Sequence, residues 1–178
     1  MLTVEKIWEG PRLEGLNYGL PTTFLKFGLG VPYTIEDLVR DILMKTRCKW
    51  VCIFGEDPTQ VGTGSLIKGL TSIGRYTEVE CSGRVRDPKY LHTVDRWIVD
   101  YTPNGLFNYS ALRDRDMIRW TITKATDLSV VKSGLEEQKL FGGTKVLKVV
   151  GTDTAEVLHK CFEISKGYER VRVYACTD

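Results

Sequence analysis

Apolar and polar positions along the chain alternate between two periods, and that alternation predicts the elements. The run "TTFLKFGL" (22–29) is rich in β-branched and aromatic residues and ends in turn glycines, so it predicts a strand. "YTIEDLVRDILMKT" follows with a helical period that puts Ile35, Leu38, Val39, Ile42 and Leu43 on one face. Thr34 is placed to cap this helix, with Asp37 three residues on. "KWVCIFG" is apolar throughout, as in a strand covered on both faces. "GSLIKGLTSIG" predicts a short helix ended by Gly74. "YTEVECSG", "RWIVDYTP" and "MIRWTITKA" predict three further strands, and "DLSVVKSGLEEQKLFGG" a helix closed by Gly142-Gly143. "TKVLKVVGT" is a sixth strand. "DTAEVLHKCFEISKG" is a helix with an Asp153-to-Glu156 capping box and Gly167 at its end, and "YERVRVYAC" is a seventh strand.

This rhythm predicts an α/β fold. It calls for a mostly parallel sheet of six to seven strands with alternating helices, an incomplete (βα)6-type barrel. The whole chain, 1–178, is expected to form a single domain. Ligands in such folds bind where strands end, and here those ends carry Gly55, Glu56, Asp57 and Gln60, then Glu80, Cys81, Ser82 and Gly83, then Asp100, Tyr101 and Thr102, then Thr123 and Lys124. Such a rim suits a small polar ligand, although turns between elements are rich in the same residues.

Composition narrows the picture. Hydrophobic residues make up 42% and charged residues 27%, which excludes a disordered chain. The net charge of +2 gives no reason to expect non-specific nucleic-acid binding. No run is long enough to span a bilayer, and the N-terminal stretch has no apolar signal core, so a cytoplasmic protein is expected. The five cysteines, at 48, 52, 81, 161 and 176, are odd in number and irregular in spacing, as for reduced thiols. His92 and His159 are the only histidines, too few for a zinc site. "VGTGSL" lacks the lysine and spacing of a phosphate loop and reads as a turn. Trp8, Tyr18 and Phe107 are expected to pack in the core or at hinges.

The stretch 33–83 resembles the central part of radical S-adenosylmethionine (SAM) proteins, and most closely the 7-carboxy-7-deazaguanine synthases of the queuosine pathway. Phe54-Gly55-Glu56-Asp57 stands where those enzymes carry Gly-Gly-Glu-Pro, Gln60 matches a nearby Gln, and Glu80-Cys81-Ser82-Gly83 stands where they carry "ETSG". Leu13-Glu14-Gly15 matches the end of their opening "QGEG" segment, and Gly19-Leu20-Pro21 the next element. The resemblance implies SAM contacts at Gly55, Glu56, Gln60 and Ser82, and substrate contacts at Glu14, Gly15 and Glu80. It also implies a loop after the first strand with three cysteines in the pattern C-x3-C-x2-C, which hold a 4Fe–4S cluster. Here "FLKFGLG" passes through Val31-Pro32 directly into the helix, with no cysteine. Thiolates are what such clusters require. No catalytic residue and no metal site are therefore expected, an iron–sulfur cluster is not expected, and SAM binding is left open.

These readings predict a non-catalytic binding or interaction protein derived from such an enzyme, and the resemblance also fits a phage-encoded protein acting in host cytoplasm. One alternative is a binder of a purine, deazapurine, nucleotide or SAM at the strand ends. The other is a structural or regulatory module that pairs with a paralogue, a host target or itself as a dimer.

Overall fold

The computed structural model describes residues 1–13, 18–86, 88–152 and 154–176. Eight strands form one sheet in chain order: β1 (Leu2–Pro11), β2 (Pro21–Tyr33), β3 (Trp50–Gly55), β4 (Tyr76–Ser82), β5 (Arg96–Asp100), β6 (Met117–Ile122), β7 (Thr144–Val150) and β8 (Val171–Cys176). The helices are α1 (Ile35–Lys45), α2 (Thr63–Ser72), α3 (Leu128–Glu137) and α4 (Ala155–Ser165). β2–β3, β3–β4, β6–β7 and β7–β8 pair in parallel, and β1 pairs antiparallel with β2. The α/β alternation is as the sequence predicts; β1 is the additional strand. Its charges at Glu5, Lys6 and Glu9 mask the strand pattern, and an edge strand tolerates them.

The chain divides into two compact units, Met1–Cys81 with Val85–Ile98, and Ser82–Arg84 with Val99–Asp178. In the first unit the register sorts side chains by face. Leu25, Ile53 and Val79 form one row across β2, β3 and β4. They are fully buried, as are Leu38 and Ile42 of α1 and Leu66, Ile67 and Leu70 of α2, and these residues make the unit's apolar core. The neighbouring row, Trp8, Phe24, Cys52 and Glu78, faces the opposite side by strand alternation. Thr34 caps α1 by accepting from the Asp37 N–H at 3.1 Å. Gly74 follows α2 with φ +74°, a conformation that favours glycine. Leu43, expected on the buried face of α1, is exposed.

β2 runs further than its apolar pattern indicates. Val4 of β1 pairs with both Phe27 and Val31, so Gly28, Leu29 and Gly30 form a three-residue bulge between them. A Cβ on Gly30 would sit 2.0 Å from the Val4 carbonyl oxygen, which explains the glycine. Val31 and Pro32 are strand residues, and Thr34 alone separates β2 from α1.

In the second unit Ile118, Ile122, Leu135, Val146, Leu147, Val149 and Cys161 are buried around β6 and β7. α3 is shorter than expected because it stops at Glu137; Gly142-Gly143 instead sit in the turn before β7. Asp116, fully buried, is held by Arg113 through its backbone N–H at 2.7 Å and two side-chain bonds of 2.9 Å. The expected capping residue Asp153 lies outside the described residues, and Thr154 takes the N-cap of α4.

Two expected outcomes test this architecture. Gly55 has φ +121°, and a Cβ there would lie 2.0 Å from the Phe27 carbonyl oxygen. Gly55→Ala is therefore expected to destabilise by about 2–4 kcal/mol in urea unfolding. Glu9 anchors the turn before β3, its Oε1 accepting from the Cys48 thiol at 3.1 Å and from the Arg47 and Cys48 N–H groups at 2.6 and 3.2 Å. These bonds, the thiol's first, hold its carboxyl below the usual 4.5. A depressed carboxylate stabilises the fold above its unfolded pKa, and that contribution is lost as pH falls below 4.5. Glu9→Gln is expected to flatten the acid limb of stability against pH, measured by denaturant unfolding at a series of pH values.

Candidate functional site

The alternation in β4 places Glu78 and Glu80 on one face, two residues apart. Burying two carboxylates demands countercharge. Arg12, just past β1, supplies it. Its Nε lies 3.0 Å from Glu78 Oε1, and its Nη2 donates to Glu80. Arg96 at the start of β5 adds a contact of 3.5 Å to Glu78 Oε2. The Cys52 thiol donates to Glu80 Oε1 at 3.3 Å. Burial pushes the Cys52 thiol well up, and Glu80 pushes it further, so it stays protonated. Burial also raises Glu78, while Arg12 draws it back.

An aromatic wall flanks this network on the same face. Trp8 stacks on Phe24 with centroids 5.3 Å apart, and Phe54 meets both rings edge-on at 5.7 and 6.4 Å. Arg12 lies over Phe24 and Arg96 over Trp50, at 5.9 and 5.1 Å from the ring centroids.

Of the residues predicted for the site, Glu80 belongs to this network. Gly55 ends β3, and Glu56 follows it with an exposed carboxylate and an N–H that donates to Phe27 O at 3.2 Å. Asp57 is used by its own turn, accepting from the N–H and hydroxyl of Thr59 at 3.2 and 3.0 Å. Gln60 donates its N–H to Asp57 O at 3.3 Å and lines a cavity of about 510 Å³ before α2, with Lys68 and Tyr90. Ser82 falls in the second unit, exposed, and accepts from the Arg84 N–H at 3.2 Å. Glu14 and Gly15 lie outside the described residues. Cys81 is buried on the face opposite Glu80. Sequence reasoning missed Arg12, Cys52, Glu78 and Arg96. The pattern Glu-Val-Glu in β4 was the one local signal for a charged inner face.

Cys48 bonds to Glu9 and Cys52 to Glu80, and among the described residues no three cysteines converge. The one trio of metal-type donors among them is Cys52, Glu78 and Glu80, whose ligand atoms lie within 4.8 Å of one another. Arg12 and Arg96 already balance both carboxylates, so the trio is charge-compensated without a cation. Arg12→Ala is expected to cost about 3–5 kcal/mol, because it strands buried carboxylates. Adding Glu78→Gln and Glu80→Gln to it should recover part of that loss in urea unfolding.

No family profile matches the chain, and no curated protein matches it in sequence. In three dimensions it is similar to the crystal structure of QueE from Escherichia coli, with a TM-score of 0.77 and 14% identity, over 99% of this chain and 94% of that one. The chain has a QueE-like α/β fold.

Proposed function

We propose that this chain is a non-catalytic binding or interaction protein on a QueE-like scaffold, acting through a partner protein rather than through radical chemistry. One observation carries the reading. β2 continues through the Gly28–Leu29–Gly30 bulge to Tyr33, and this segment delivers no thiolate where the resemblance calls for three. Two features support it. Phe54 packs edge-on against Trp8 and Phe24 at the end of β3, in a position where a glycine would leave room for a ligand. Asp57 spends its carboxylate on the local turn.

A second reading draws on Glu56. Its exposed carboxylate beside Gly55 is suited to an ammonium group, which favours binding of SAM or a related nucleotide without turnover.

Anaerobic reconstitution with iron and sulfide, followed by reduction in the presence of SAM, separates these readings from an enzyme. The expected result is no protein-bound cluster and no SAM cleavage. A stoichiometric cluster with cleavage products overturns the proposal. Calorimetry with SAM alone is expected to give no heat; heat abolished by Glu56→Gln would replace the first reading with the second.

A further inference from the structure

The stretch "VGTGSL", which reads as a turn in the sequence, opens α2. Gly62 takes the N-cap position with φ +104°, so no side chain caps the helix, and its first turn holds no acidic residue. The Thr63 N–H donates to Gln60 O at 3.1 Å, and the Leu66 N–H to Gly62 O at 3.0 Å. The N–H groups between them, of Gly64 and Ser65, have no acceptor among the described residues. Such a helix start carries partial positive charge.

Two buried hydroxyls point the same way. Thr63 is fully buried, and its hydroxyl has no hydrogen-bond partner among the described residues. The Tyr90 hydroxyl stands beside it, buried and equally without a partner. Burial pushes that phenol up to about 12, so it keeps its proton and stays a donor. Native interiors leave few donors in this condition unless an ion or a water serves them. Gly64 lets Tyr90 come this close, because a Cβ there would lie 2.7 Å from its ring.

Tyr90 also lines the cavity of about 510 Å³ at the start of α2, and no lining residue is acidic. Lys68 lies one helical turn along α2 from Gly64, and Lys89 comes from the connection between β4 and β5. Neither lysine makes an ion pair among the described residues. Asp57 is the carboxylate that acts on Tyr90, and it already accepts from the N–H and hydroxyl of Thr59. Set against both lysines, it leaves positive charge in excess, and the helix start adds to that excess. The lysine that "VGTGSL" lacks in sequence is supplied by the fold.

We propose that the start of α2 binds the phosphoryl group of a small molecule, through the N–H groups of Gly64 and Ser65, the ammonium groups of Lys68 and Lys89, and the Thr63 and Tyr90 hydroxyls as further donors. This many donors match the three oxygens of a phosphoryl group better than the two of a carboxylate. The cavity is larger than the anion and leaves room for the group that carries it. The site goes beyond the partner-binding reading and does not depend on it.

The test titrates the full chain with inorganic phosphate, a nucleoside monophosphate, the bare nucleoside and acetate, by calorimetry and by amide shifts. Phosphate and the nucleotide are expected to bind saturably and more weakly as salt rises, with shifts centred on Gly64 and Ser65. The nucleoside and acetate should not bind. Tighter binding of the nucleotide than of phosphate makes the carrier a nucleotide, and equal binding makes the ligand free phosphate; both results support the site. Ser65→Asp puts a carboxylate where a helix start favours one, so it should abolish binding without lowering stability in urea. Lys68→Glu is expected to weaken binding about tenfold, since it turns an attraction into a repulsion. Lys132→Glu, on α3 in the second unit, should change nothing. No binding of either phosphate ligand, equal binding of acetate or the nucleoside, or an undiminished affinity in Ser65→Asp overturns the proposal.

Discussion

Two carboxylates on one strand face set the terms for the first unit. Glu78 and Glu80 are drawn out of water on β4, and a buried carboxylate needs a partner charge. The partners come from distant parts of the sequence. Arg12 follows β1, Arg96 opens β5, and Cys52 on β3 adds a weak donor. The network thereby links β3, β4 and β5 to the residue that follows β1. Aromatic rings from β1, β2 and β3 fill the space beside it, with Arg12 lying over one of them. The opposite face needs no such arrangement, because Leu25, Ile53 and Val79 meet apolar helices.

The elements were legible because their signals are local. Period-two and helical patterns, the Thr34 cap and the glycine after α2 all act within a few residues. β1 escaped because Glu5, Lys6 and Glu9 interrupt its apolar positions. Its strand character comes from pairing with β2. The candidate site was legible only in part. Glu80 could be singled out from its place near a strand end. That Arg12 would reach it across 68 residues of sequence is a property of the fold. Asp57 shows the opposite case: a carboxylate that invites a ligand when read in line is consumed by Thr59 two positions away.

Likeness to QueE in three dimensions is compatible with thiols that do not converge among the described residues, because fold and chemistry rest on different residues. The sheet is held by its apolar row, its registers and the buried ion pairs. None of these depends on the segment between Phe27 and Val31.

The bulge in β2 makes this separation concrete. Val4 faces Phe27 on one side of it and Val31 on the other, so its two feet stand on a single residue of the neighbouring strand. A segment of any length that starts and finishes at those feet leaves every other pairing of β1 with β2 in register. The sheet thus contains a seam at which chain can be added or removed without retuning the rest. Leu29, the middle of the three residues that span it in this protein, is 88% exposed.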